Sequence, residues 1–363
     1  MSAPSPPRVW AEIDGCAVRR NLEVGRSMAG RADIMAVVKA DAYGHGLEAV
    51  AEMLRHSGVS FFGVANVGEA RRLRAAGVQT RVFLLGATWS GEREEVVANG
   101  WIPCISSVDE AIAYDTTARH QGRMLDVHLA VDTGMGRGGF LPEEIPSVFP
   151  VLEKLGNLEF GGICSHLACA DTDPAFTERQ LGRFREAIGM LGGPERFRWR
   201  HVMNSAGLLG YDGSPCNLLR MGLMMYGVSP LPAFQEKLSA AMSLKSRVIL
   251  VHEPPPDGGR PGRTDAPRRR LALVGAGYGD GYPARAGGNG GEVWIKGKRF
   301  PISGRIAIDH LTVDVTTGPL ITEGDEVELF GEHVPVAEVA GNAGTIPWEI
   351  LTGIAPWVER VYR

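Results

Sequence analysis

The stretch AVVKADAYGHG, residues 36–46, closes the apolar run Ile34–Val38 on a lysine, Lys39, and enters a glycine-punctuated turn at once. An ammonium group at the end of a buried strand is desolvated, which favours the neutral amine. A neutral lysine amine forms Schiff bases with carbonyl compounds. The position alone fits equally well a lysine that lays its stem on apolar surface and keeps its charge in water. Other apolar runs end on polar groups too: VDTGMGRGG carries Arg137, SHLA carries His166, HVMNSAG carries His201, Asn204 and Ser205, and LLRMGLMMYG carries Arg220 and Gly222. One such residue is more often structural. Polar groups at five run ends together are much harder to dismiss as structural.

These groups converge only if the apolar runs are strands of one sheet. Strand-like runs recur at Ile34–Lys39, Phe61–Asn66, Arg81–Gly86, Trp101–Ser106, Leu125–Asp132, Leu158–His166, Phe197–Asn204 and Asn217–Gly222, after an opening helix at Asp14–Met28. Helix-like segments such as LEAVAEMLRHSG, GEARRLRAAG and DEAIAYDTTAR lie between them. Strands alternating with helices predict parallel βα units. Eight of them fit a closed (β/α)8 barrel, whose active sites lie at the C-terminal strand ends. An open doubly wound sheet is the alternative, but no GxGxxG follows the first run. In the barrel, the backbone amides of Ser205–Gly207 and Gly222–Leu223 would form the phosphate cradle common after strands seven and eight. From about residue 241 the texture changes. LKSRVILVHE, RRRLALVGAG, GEVWIKGKRFPISG and GDEVELFGE are turn-punctuated and strand-like, which predicts a mostly antiparallel second domain. The expected division is a barrel over 10–240 and a β-rich domain over 241–363.

Composition sets the class. With 363 residues, 44% hydrophobic and 22% charged, the chain has enough apolar content for more than one core. A formal net charge of −4 gives no electrostatic reason to expect nucleic acid or an anionic membrane as partner. No stretch approaches the roughly 20 apolar residues of a membrane span. The opening MSAPSPPRVW lacks the basic and apolar regions of a signal peptide. Five cysteines without CxxC spacing read as reduced thiols, which predicts a cytoplasmic location and no metal site.

Over nearly its whole length the chain resembles the alanine racemase family, whose cofactor-lysine signature is similar to VVKADAYGHG. The resemblance implies a homodimeric enzyme dependent on pyridoxal 5'-phosphate that interconverts L- and D-alanine. It has an N-terminal barrel and a C-terminal β-domain that completes the partner subunit's active site. By the same resemblance Lys39 carries the cofactor as a Schiff base and is one catalytic base. Tyr43, Ser205, Gly222, Leu223 and Tyr362 hold the phosphate. His166 packs on the pyridine ring, and Arg220 donates to the pyridine nitrogen. Arg137 meets the phenolic oxygen and the substrate carboxylate, and the Ile308 amide contacts that carboxylate. His201 supports the second catalytic group.

The resemblance breaks at that second group. Racemisation needs a proton-holding group on each face of the substrate carbon. In the family a tyrosine in a VSYG segment serves the face opposite the lysine. Here the matching stretch reads DGGRPGRTDAP and has no tyrosine near Pro261–Gly262. Ala130 stands where many members have a lysine, and GRIAIDH places His310 at a usual glutamine. Three outcomes remain open. Tyr278 of GYGDGYP can supply the second base, or His310 or a water relayed through His201 can. Otherwise the protein is a single-base relative acting as an aldolase, decarboxylase or transaminase-like enzyme on another amino acid. A non-catalytic cofactor-binding protein is a further reading, but such proteins lack a C-terminal β-domain.

Overall fold

A computed structural model describes residues 6–254 and 269–363. The eight expected strands form, somewhat shorter than read: β2 (Asp33–Val37), β3 (Phe61–Val64), β4 (Arg81–Leu84), β5 (Cys104–Ile105), β6 (Leu125–Ala130), β7 (Leu158–Cys164), β8 (Trp199–His201) and β9 (Leu218–Met221). They are numbered after β1 (Val9–Ile13), which lies elsewhere. All pair in parallel, in two sheets of order β4-β3-β2-β9 and β5-β6-β7-β8. Main-chain bonds join the two sheets at both seams. Leu84 N donates to Ile102 O at 2.9 Å on one side, and Arg220 N to Met203 O at 3.1 Å on the other. The closed parallel barrel expected from the βα alternation is present.

Helix starts follow local chemistry. Asn66 and Ser107 cap the helices Val67–Ala75 and Val108–His120, accepting from Glu69 N and Glu110 N. Such caps are each worth about 1 kcal/mol. The barrel interior is filled by Met35, Phe61, Phe83, Ile102, Ala130, Cys164 and Leu218. Most of this core is apolar, but His128 and His201 pack against Phe83 within it.

The chain forms two compact units. One comprises Arg19–Ala42 and Gly46–Leu238; the other comprises the N-terminal segment through Val18, Tyr43–His45 and Ser239–Arg363. The second unit holds β1 with β10 (Met242–His252), β11 (Leu271–Val274), β12 (Glu292–Ile295), β13 (Lys298–Pro301), β14 (Leu311–Asp314), β15 (Glu326–Phe330) and β16 (Glu359–Tyr362). Every pairing in it is antiparallel except β1 with β16. The strand Val9–Ile13, which the reading above put at the start of the barrel domain, pairs Val9 with Ser246 and Ile13 with Met242. Short, alternating strands carry no label of the sheet they join, because partner choice is a long-range property. Two helices, Val336–Ala343 and Pro347–Thr352, also belong to this unit.

Candidate active site

Lys39 lies just past its strand, because β2 ends at Val37. The chain then makes a left-handed turn: Ala40, Asp41, Ala42 and Tyr43 have φ between 53 and 55°. Each non-glycine residue in that region costs about 1–2 kcal/mol, so other bonds must hold it. Glu69 spans the gap, its two carboxylate oxygens accepting from Ala40 N at 2.6 Å and Ala65 N at 2.8 Å. Asp41 accepts from Leu47 N at 3.1 Å, and Arg72 donates to Asp41 and Glu48 at 2.6 Å. The next residue must be glycine. Gly44 has φ +80°, and a Cβ there would sit 2.2 Å from the Leu351 carbonyl oxygen. Tyr43 is buried, which pushes its phenol up to about 12.

A cavity of about 370 Å³ opens at the strand ends, and Lys39, Arg137, His166, His201 and Arg220 all line it. No carboxylate does among the described residues. Burial pushes the Lys39 amine below its ordinary range, and the Arg137 and Arg220 guanidiniums push it further; Glu69 opposes them. The result is an amine of lowered pKa in a cationic pocket suited to an anion that carries a carbonyl.

Beneath the cavity Arg220, 5% exposed, organises a chain of imidazoles. Its Nη1 donates to His201 Nδ1 at 2.8 Å, and its Nη2 donates to His166 Nδ1 at 3.0 Å. It also donates to the carbonyls of His201, Ser165 and Val202. Guanidinium has no acceptor, so His201 Nδ1 must be bare and its proton sits on Nε2. That N–H donates to His128 Nδ1 at 2.7 Å. His128 therefore carries its proton on Nε2, which has no hydrogen-bonding partner among the described residues. Burial, then the cations, push His128 and His166 down to about 3 and His201 well below its usual value. All three are neutral at pH 7.

An acid-sensitivity prediction follows. His128 is fully buried and neutral, whereas an unfolded imidazole titrates near 6.5. Its contribution to stability is complete above pH 6.5 and is lost as the pH falls from there toward 3, at about 1.4 kcal/mol per unit. Between pH 6.5 and 4.5 the loss through this residue is about 2 kcal/mol. The melting temperature of wild type should fall more steeply over that window than that of His128→Phe. Equal slopes would refute the assignment.

The model of the family described as alanine racemase, N-terminal domain, matches residues 13–230, and that of the C-terminal domain matches residues 241–362. The chain belongs to the alanine racemase family. An alanine racemase of Methylacidiphilum infernorum is 37% identical over 375 aligned positions, covering 100% of this chain and 94% of that one. An alanine racemase structure from Clostridium difficile 630 superposes with a TM-score of 0.90 at 32% identity, covering 99% of this chain and 97% of that one. The Bartonella henselae alanine racemase, solved with covalently bound pyridoxal phosphate, superposes at 0.89 with 28% identity, covering 99% and 100%.

In this alanine racemase-family chain the barrel brings together Lys39, Arg137, His166, His201 and Arg220, with Ala130 in the same lining. Ser205 and Gly222 also meet, Gly222 N donating to Ser205 Oγ at 3.3 Å, and Leu223 begins the short helix that follows. In the second unit Tyr278 and Ile308 are adjacent: Tyr278 N donates to Ala307 O at 2.9 Å and Gly279 N to Ile308 O at 2.7 Å. Both side chains are exposed, as is Tyr362 at the end of β16. His310 pairs with Asp309 at 2.8 Å. Pro261–Gly262 lies outside the described residues. Sequence reading missed His128, Glu69, Cys104 and Cys164. His128 had a signal, a histidine inside the apolar LDVHLAV. Glu69 looks like an ordinary first-turn carboxylate until its distance to Ala40 N is known.

Proposed function

We propose that this chain is a pyridoxal-phosphate-dependent alanine racemase acting as a homodimer, with Lys39 as the base on one face of the substrate carbon. The observation that carries the reading is the convergence of Lys39, Arg137 and Arg220 on a carboxylate-free cavity at the barrel's strand ends. The residues present fit the cofactor: an amine of lowered pKa for its aldehyde and a buried guanidinium for its ring nitrogen. For its phosphate Ser205, Gly222 and Leu223 would form a cradle, and the family resemblance adds Tyr43 and Tyr362 as phosphate-binding residues. When bound, pyridoxal phosphate withdraws electrons from the substrate's α-carbon and acidifies its proton.

The protein's part is to place and move that proton. Lys39 Nζ, whose pKa burial and two guanidiniums lower, takes it from one face. Arg137 and the Ile308 amide would hold the substrate carboxylate, and His166 would pack flat against the ring. Arg220 keeps its own proton, so with the cofactor bound it would donate to the ring nitrogen without protonating it. That would restrain the electron withdrawal the cofactor supplies and limit side reactions. The neutral His201–His128 pair fixes the guanidinium's orientation. Ala130 leaves Arg137 without the lysine many relatives carry.

For the opposite face, the sequence DGGRPGRTDAP offers no phenol. Tyr278, whose side chain is exposed, is the residue we assign there. His310 is the alternative; a water relayed through His201 is not, because Arg220 and His128 occupy both of its ring nitrogens. We assign the barrel role to residues 10–240 and completion of the partner's site to 241–363, in a cytoplasmic enzyme. No helix among the described residues is long and apolar enough to cross a membrane. The missing phenol favours one other reading, a single-base enzyme acting as an aldolase, decarboxylase or transaminase on another amino acid.

Incubation with L-alanine in deuterated water decides between them. Two-base racemisation yields D-alanine carrying deuterium at the α-carbon. Exchange with full retention of configuration would sink the racemase reading and leave the single-base one.

A further inference from the structure

The cavity contains a pair of nucleophiles that the proposed reaction does not use. Cys104 on β5 and Cys164 at the end of β7 both line it, with their sulfurs 3.3 Å apart. The strand β6 separates them, with Cys104 registered against His128 and Cys164 against Ala130. The sulfur–sulfur separation is well beyond the roughly 2.05 Å of a disulfide bond. The two thiols converge unbonded. One atom inserted between them can be held by both.

We propose that Cys104 and Cys164 form a dithiol site for thiophilic atoms that need only two protein ligands, of which monosubstituted trivalent arsenicals are the best-fitting class. Thiolates select soft acceptors. A tetrahedral zinc ion needs more ligands than this pair, and no cluster of three or more His, Cys, Asp or Glu suited to a metal occurs among the described residues. An arsenical brings its own third substituent. The reaction is R–As=O plus two Cys–SH giving R–As(S–Cys)2 plus water. Two arsenic–sulfur bonds form, the arsenic–oxygen bond breaks, both thiol protons leave with the oxygen, and no oxidation state changes. The hydrogen bond from Cys104 and the nearby Arg220 guanidinium favour the Cys164 thiolate, which starts the substitution.

Phenylarsine oxide added to the purified full-length protein tests this. We expect one phenylarsenic group per chain by intact mass, released by 2,3-dimercaptopropanol and resistant to 2-mercaptoethanol at equal thiol concentration. Cys104→Ala and Cys164→Ala should each weaken binding by at least about 100-fold, the loss expected when a two-point attachment becomes one-point. Cys169→Ala should not change it. Should either cavity variant fail to fold, digestion of the wild-type adduct gives the same answer. Peptides containing Cys104 and Cys164 should be recovered joined through arsenic, and arsenic on Cys16, Cys169 or Cys216 would overturn the site. Occupancy should also prevent the visible absorbance of added pyridoxal phosphate from developing, a consequence that rests on the functional reading above. An adduct on the right pair with cofactor uptake unchanged would keep the dithiol site and overturn this cavity as the cofactor's seat.

Discussion

Replacing Lys39 with alanine should lower L-alanine racemisation by on the order of 10⁴-fold, because the cofactor's attachment point and a general base are lost together. Chiral analysis of the product measures it, and residual turnover within tenfold of wild type would refute the role. The same variant should not be less stable. The fold disfavours the protonated amine, since burial and the Arg137 and Arg220 guanidiniums all push its pKa down. At pH 7 that cost is present in the folded state and absent from the unfolded one. The cofactor-free variant should therefore melt at or above the wild-type temperature. Lys39→Arg, which keeps the charge and cannot form the Schiff base, should lose activity without that gain. This is the trade of stability for reactivity expected at a built site.

Arg220 should show the opposite pattern. Its guanidinium donates to two imidazole nitrogens and to the carbonyls of His201, Ser165 and Val202. Arg220→Leu removes the donors and leaves the acceptors buried, a loss of about 3–5 kcal/mol. Calorimetry should register a drop in melting temperature on the order of 10 °C, with activity lost as well. Arg220→Lys should fall between, since an ammonium cannot reproduce the planar fork. The freed His201 Nδ1 no longer faces an obligatory donor, so nitrogen-resolved NMR should find both tautomers in Arg220→Leu and only the Nε2–H form in wild type. A single tautomer in both would show that the arginine does not set it.

The distinction between these two residues marks how far the sequence reads. Lys39, the eight parallel strands and the β-rich half were legible because local backbone preference and burial leave periodic marks. Alternation of βα units, caps such as Asn66 and Ser107, and a lysine closing an apolar run are all short-range signals. The family resemblance added roles for Arg137, His166 and Arg220. Neither source could say what touches what across the barrel. That β1 joins the second unit's sheet follows from pairing with residues more than 200 positions away. The left-handed turn after Lys39 follows from a carboxylate, Glu69, supplied by another element. The tautomers of His201 and His128 follow from Arg220, and the meeting of Cys104 with Cys164 follows from the stagger of β5 against β7. These contacts join residues 19 to 73 positions apart, and inward-facing neighbours are set by barrel closure and strand register. The sequence by itself determined which chemical groups reach the strand ends. Only the tertiary structure decided their protonation, their partners and the strain under which they are held, because those depend on distances between strands that no local pattern encodes.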